Sequence, residues 1–266
     1  MAGRLEGKVA LIVGAGQTPG ATIGNGRATA LRFAQEGATV FLVDRRLKSA
    51  EETLAMVIEG GGNGVAHEAD VTSEAACAGM VDACMKLLGR IDILHNNVGI
   101  GAGDRGPTSM TEEVWDRIHT TNLKSVMFTC KHVLPVMRAQ RSGVIINISS
   151  IAAVCSVGIV AYKTSKAAVN AFTQSLAIGN GEFNIRANVI MPGLMNTPMA
   201  IEGYVAAGRN REELIAYGPL LSDDGAAWLG TAALIRAVGP AEARATFDPA
   251  RYAHIEVHNW AFGGRR

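Results

Sequence analysis

Six short apolar runs alternate with longer stretches of helical period, and that alternation leaves few folds open to the chain. The runs are residues 8–13 (KVALIV), 39–43 (TVFLV), 65–67, 91–95 (IDILH), 143–148 (GVIINI) and 185–190 (IRANVI). Between them, residues 26–35, 48–58, 73–88, 111–138 and 162–177 repeat apolar side chains at helical spacing. Strand, helix, strand in this order builds βαβ units with parallel strands and helices on both faces. The pattern therefore predicts an α/β fold: a single doubly wound Rossmann-type parallel sheet, in one domain over residues 1–266. Residues 60–64 read as a loop. The fourth helix is expected to be interrupted near Asn122 and to end at or after Pro135. No linker or internal repeat stands out.

The last third is different. After Met199 the periodicity loosens, with helical character only at 212–217 and 226–238. Residues 194–217 are expected to form a substrate-loop region, and 218–266 an atypical C-terminal segment whose strand is altered or missing.

Composition excludes several classes. At 48% hydrophobic and 18% charged, the chain can bury a sizeable core. A net charge of +1, with no long run of one sign, argues against nucleic-acid binding. No window approaches the roughly 18 unbroken apolar residues of a membrane span. The apolar start leads straight into glycines without a small-residue cleavage site, so it reads as a strand and not a signal peptide. Cys77, Cys84, Cys130 and Cys155 show no metal-ligand spacing, so no metal is expected. They suit single reduced thiols in a cytoplasmic protein.

Two groups of residues carry chemistry. The first is the stretch VGAGQTPGATIGNG, residues 13–26, between the first strand and first helix. Glycine there lets a phosphate approach the backbone at a helix N-terminus. The run is too long for a tight turn. Gly14 and Gly16 are expected to end the strand, Gly24, Asn25 and Gly26 to open the helix, and residues 17–23 to be an inserted excursion with its turn at Pro19-Gly20. Asp44 closes the second strand, placed to accept hydrogen bonds from adenosine ribose hydroxyls and to repel a 2′-phosphate. That favours NAD over NADP, although Arg45 and Arg46 offset it in part. The second group is Tyr162 and Lys166, four apart on one helix face. A tyrosine has a pKa of about 10, and a nearby ammonium lowers it toward use as an acid or base. Ser149 and Ser150 follow the fifth strand, where a hydroxyl can hold a substrate oxygen.

These residues, with Asp70-Val71, Asn96-Asn97-Val98-Gly99, Asn122, Asn147 and Pro192-Gly193-x-x-x-Thr197, resemble the classical short-chain dehydrogenases/reductases in order and spacing over roughly residues 5–199. The resemblance implies an NAD-dependent enzyme interconverting a neutral, fairly hydrophobic secondary alcohol and its ketone. It implies Tyr162 as general acid/base and Lys166 as the group that lowers its pKa and binds the nicotinamide ribose. It implies Asn122 as holder of a water linked to Lys166. Asp70 and Val71 would contact the adenine, and Asn97, Val98 and Gly99 would line the cofactor. Ile190, Pro192, Gly193 and Thr197 would surround the nicotinamide. Ser150, Ala152, Tyr162 and Met195 would meet the substrate.

The serine stays open between Ser149 and Ser150. Thirteen-residue spacing to the tyrosine selects the first, and the Asn-x-Ser-Ser pattern the second, which we prefer. An NADPH-dependent carbonyl or 3-oxoacyl-thioester reductase and a dinucleotide-binding protein without turnover remain as alternatives. Homo-oligomers, dimers or tetramers, are usual for the family. The chain departs from it in lacking a threonine before Gly14, in Val98 where alanine is usual, and in its ending, HIEVHNWAFGGRR.

Overall fold

The structure is a computed structural model. It describes residues 3–206 apart from 156, 157, 194 and 196, together with 208 and 210. Six strands form one parallel sheet: β1 Val9–Val13, β2 Thr39–Asp44, β3 Asn63–Glu68, β4 Ile93–Asn96, β5 Gly143–Ile148 and β6 Ile185–Ile190. Their order across the sheet is β3-β2-β1-β4-β5-β6. The helices are α1 Asn25–Gln35, α2 Leu47–Glu59, α3 Glu74–Leu88, α4 Glu112–His119, α5 Ser125–Gln140, α6 Ala161–Asn180 and α7 Pro198–Ala206.

Strand alternation divides the core in two. Ala10, Ile12, Val40 and Leu42 face α1 and α2, packing on Phe33, Ala50 and Val57. Val9, Leu11, Phe41 and Val43 face the other way, onto α3 (Met80, Cys84), with α5 (Val133, Met137) and α6 (Val169) on the same face. β1 is buried along its whole length, so it shows an unbroken apolar run and not a half-polar alternation. The expected doubly wound Rossmann-type fold is what the described residues form. No helix among them is long and apolar enough to cross a membrane.

Several boundaries differ from expectation. β3 begins at Asn63, inside the expected loop, because it pairs with the full length of β2 from Thr39 to Asp44. β4 starts at Ile93, since the Ile91 N–H is taken by Gln140 Oε1. The fourth helix is interrupted near Asn122, as expected, but without a break in the chain's coiling: α4 passes into α5 through a π-turn, Thr120–Lys124. It ends after Pro135, as expected: α5 runs on to Gln140, with Pro135 inside it on an exposed flank. α7 lies within the expected substrate-loop region. The remainder of 207–217, including the possible helix at 212–217, falls outside the described residues save for 208 and 210. The possible helix at 226–238 and the tail 218–266 also lie outside them.

Candidate active site

Sheet order reverses between β1 and β4, and in such a sheet the ligand crevice opens beyond the carboxyl ends of those strands. The glycine stretch follows β1 directly. Gly14 has φ +82°, a conformation glycine adopts without strain, and a Cβ there would lie 3.0 Å from Val98 Cγ2. A Cβ at Gly26 would overlap the Gly14 carbonyl oxygen. Asn97 Nδ2 donates to that same oxygen at 3.2 Å, fixing the loop after β4 against the loop after β1.

Residues 17–23 form an excursion folded on one side chain. Gln17 Oε1 accepts from the Gly24 N–H at 2.8 Å, and its Nε2 donates to the Thr22 carbonyl at 3.3 Å. The base of the turn is held from α2: Ser49 Oγ accepts the Gln17 N–H at 3.0 Å, and Thr53 donates to the Ala15 carbonyl at 2.8 Å. α1 starts at Asn25 with Gly24 as an N-cap that carries no side-chain cap. Asn25 Oδ1 is buried and has no hydrogen-bond partner among the described residues. Asp44 Oδ2 accepts the Gly16 N–H at 3.1 Å and Oδ1 the Arg46 N–H at 3.0 Å, so the carboxylate stands at the edge of the glycine turn. Arg45 is exposed, and the Arg46 guanidinium donates to the Gln17 carbonyl. Asp70 is held below the usual carboxylate range by the Thr72 N–H and hydroxyl, with a smaller contribution from the Arg45 charge. Val71 is buried in the core on the α3 side.

Buried amides tie the strand ends on the other side of the crevice. Asn96 Nδ2 donates to Asn147 Oδ1 at 2.9 Å, and Asn147 Nδ2 donates to Thr173 on α6 at 2.9 Å. Thr129 on α5 donates to Asn96 Oδ1 at 2.9 Å. β4, β5, α5 and α6 thus share one polar chain beneath the site. On α6, the Lys166 ammonium donates to the Ile148 carbonyl at 2.8 Å and lies 5.7 Å from the centre of the Tyr162 ring. Lys166 is 3% exposed, and burial brings its pKa down to about 8. Gly99 makes room for it, since a Cβ there would lie 3.0 Å from Nζ. Asn122, in the π-turn, brackets Ile100: Oδ1 accepts its N–H at 2.7 Å and Nδ2 donates to its carbonyl at 2.9 Å. The same Nδ2 donates to Ser165 Oγ at 3.0 Å.

The two serines point apart, as neighbours on an extended chain must. Ser149 is buried and donates to the Lys166 carbonyl at 2.8 Å. Ser150 is partly exposed, and its Oγ accepts from the Ala152 N–H at 3.1 Å. Other candidates are placed less openly. Ala152 is 7% and Met195 8% exposed, the latter packed in the core on the α1 side, so neither presents much side-chain surface. Thr197 caps α7 through a 3.4 Å bond from the Ala200 N–H. The Pro192 carbonyl accepts from Ile151 at 2.9 Å, and Gly193 is exposed. Ile151 and Val154 carry the exposed apolar surface beside Ser150, at 46% and 62%.

Two charged residues near Tyr162 carry no sequence signal for their roles. Lys163 donates to the carbonyls of Ala152, at 3.2 Å, and Cys155, pinning the 3-10 turn that bears Ile151. Asp104 reaches the start of α6 from the loop after β4. Their partners are 8 to 58 residues away, beyond any local periodicity.

The Lys166 shift has a checkable sign. Its folded pKa of about 8 lies below the ordinary 10.5, so its stabilising contribution is complete above 10.5 and is lost as pH falls through 8. The wild type should therefore gain stability relative to Lys166→Met, by up to about 3 kcal/mol, as pH rises across that window. Denaturant unfolding of both proteins at pH 7 and pH 10 measures this; equal changes in the two would contradict it.

The glycine cradle, the uncapped start of α1 and the Asp44 carboxylate together suit a dinucleotide, with phosphates at the helix and ribose hydroxyls at the acid. Among the described residues no three His, Cys, Asp or Glu side chains gather as a metal site.

The comparisons agree in kind. A family model described as short chain dehydrogenase matches residues 8–204. A cyclopentanol dehydrogenase from Comamonas sp. (strain NCIMB 9872) is 36% identical over 198 residues, 74% of this chain and 76% of that protein. A 3-oxoacyl-[acyl-carrier-protein] reductase from Thermotoga maritima is 39% identical over 198 residues, 74% of this chain and 77% of that protein. A crystal structure of NAD+-bound xylitol dehydrogenase superposes with a TM-score of 0.79 at 30% identity, covering 90% of this chain and 95% of that one.

Proposed function

The chain belongs to the short-chain dehydrogenase family, an oxidoreductase family acting on CH–OH groups, and on that premise we propose that it is an NAD-dependent dehydrogenase of neutral, fairly hydrophobic secondary alcohols. The observation that carries the NAD preference is Asp44. Its carboxylate, at the end of β2 beside the glycine turn, would repel a 2′-phosphate, and neither Arg45 nor Arg46 is bonded to it through a side chain. The bound nicotinamide supplies the hydride chemistry. Gly14, Gly16, Gly24, Asn25 and Gly26 would hold the pyrophosphate side. Asp44 and Arg45 would lie by the ribose, and Asp70 and Val71 by the adenine. Asn97, Val98, Gly99, Pro192, Gly193 and Thr197 would line the nicotinamide side.

The proton steps belong to this chain's own residues. Tyr162 takes the hydroxyl proton of the alcohol, or returns it to the ketone oxygen. Lys166 favours its phenolate through charge. Ser150, whose hydroxyl proton is not committed to another residue by the Ala152 bond, donates to the substrate oxygen; Ser149 spends its proton on the Lys166 carbonyl. Asn122 Oδ1 accepts one bond from Ile100 and keeps a lone pair for a water between Lys166 and solvent. The exposed Ile151 and Val154 suit an apolar substrate. The same proposal includes a cytoplasmic homo-oligomer.

Absorbance at 340 nm, with a panel of secondary alcohols and a 3-oxoacyl thioester, tests it. NAD should exceed NADP in kcat/KM by at least about tenfold, and Asp44→Ala should narrow that gap by about the same factor. A wild type that prefers NADPH and the thioester would replace this function with the reductase one. Binding without turnover of any substrate would leave a dinucleotide-binding protein.

A further inference from the structure

We infer that Asp104 is a positioning residue for Tyr162, acting through the first turn of α6. The inference rests on the catalytic role proposed for Tyr162 and goes beyond it. The first N–H groups of an α-helix have no partner within the helix. Those of α6 have no local cap either: Val160 at the N-cap offers no side-chain bond, and the first turn holds no acid. The Asp104 carboxylate supplies what is missing from 56 to 58 residues away. Oδ1 accepts the N–H of Val160 and of Ala161, each at 3.1 Å, and Oδ2 accepts the N–H of Tyr162 at 2.6 Å. A carboxylate accepting backbone N–H groups at a helix N-terminus also gains from the helix dipole.

Asp104 is itself held. Its N–H donates to the Gly101 carbonyl at 3.2 Å, Arg117 on α4 donates to the Ala102 carbonyl at 2.7 Å, and Asn122 brackets Ile100. Gly101 passes close enough to the Tyr162 ring that a Cβ there would lie 3.4 Å from Cδ2. The loop is thus an anchored arm. Its carboxylate fixes the backbone of Tyr162, and its glycine lies against the ring.

Lys166, one turn further on, is held by other groups. Its ammonium binds the Ile148 carbonyl, and its own carbonyl accepts from Ser149. Loss of Asp104 should therefore release the start of α6, moving the phenol relative to Lys166 and Ser150, while the cofactor side of the crevice keeps its contacts. A displacement of about an ångström at a reacting group is enough to slow chemistry by up to about 100-fold.

The experiment compares Asp104→Ala, Asp104→Asn and Tyr162→Phe, using steady-state kinetics with the best alcohol of the panel and fluorescence titration with NADH. In Asp104→Ala, kcat should fall at least about tenfold while the NADH dissociation constant stays within about twofold. Asp104→Asn should fall between alanine and wild type, since its amide oxygen still accepts but one carboxylate oxygen is lost. Wild-type kcat in either variant overturns the inference, and so does a loss of NADH affinity that parallels the loss of kcat. If Asp104→Ala does not fold, Asp104→Asn decides by the same criteria. Activity surviving in Tyr162→Phe would instead overturn the catalytic role of Tyr162, a separate failure read in a separate protein.

Discussion

Tyr162→Phe is expected to lower turnover by at least about 100-fold while NADH binding stays close to wild type. The substitution removes one oxygen and leaves the ring, which lies against Gly101 and 5.7 Å from the Lys166 ammonium. General acid/base groups contribute about 100- to 10,000-fold to rate, so removing the proton carrier without disturbing the ring isolates that contribution. Binding is expected to survive because the glycine cradle and Asp44 belong to β1, α1 and β2, on the other side of the strand reversal. The measurement pairs 340 nm kinetics with fluorescence titration. A phenylalanine enzyme as fast as wild type would refute proton transfer by Tyr162. A parallel loss of NADH binding would show that the hydroxyl serves the cofactor more than the substrate.

The second large effect is Gly26→Ala, expected to destabilise the protein by about 1–3 kcal/mol and to weaken NADH binding at least tenfold. Two effects oppose each other here. Alanine in place of glycine inside a helix ordinarily stabilises by about 1 kcal/mol. At Gly26 the added carbon would overlap the Gly14 carbonyl oxygen and lie 2.8 Å from Asn97 Nδ2. The colliding atom is backbone and cannot swing aside, so steric overlap wins and the β1 turn must move. Gly79 is the control. It lies on α3 with no heavy atom within 4 Å of its added carbon, and Gly79→Ala should stabilise by about 0.5–1 kcal/mol. Thermal unfolding of both variants compares them. A stabilised Gly26→Ala would show that the close approach of α1 to the Gly14 turn is not needed.

The parts of the fold read from period alone are those whose cause is local. β1 and β5 are buried on both faces and show as apolar runs, unbroken in β1 and interrupted only by Asn147 in β5; the helices carry apolar faces at their own spacing. Boundaries slipped where a distant partner decides them, as when Gln140 takes the Ile91 N–H and delays β4. The π-turn at Asn122 read as an interruption because local sequence marks a disturbed helix without saying how its backbone bonds are rearranged. In the candidate site, Tyr162 and Lys166 were legible through helical spacing. The orientations of Ser149 and Ser150 were not, because they depend on which face of the strand end meets α6.

By itself, then, the sequence determined the order of strands and helices, the glycines around the first turn, the acid at the end of β2 and the Tyr162–Lys166 pair. Each depends on period, conformational freedom or spacing within a few residues. Only the tertiary structure decided that Gln17 gathers the excursion before α1, that Ser149 turns inward and Ser150 outward, and that Asp104 caps the helix bearing Tyr162. Those depend on a side chain finding backbone groups that the chain brings close only by folding, and no local pattern records where a distant donor will stand.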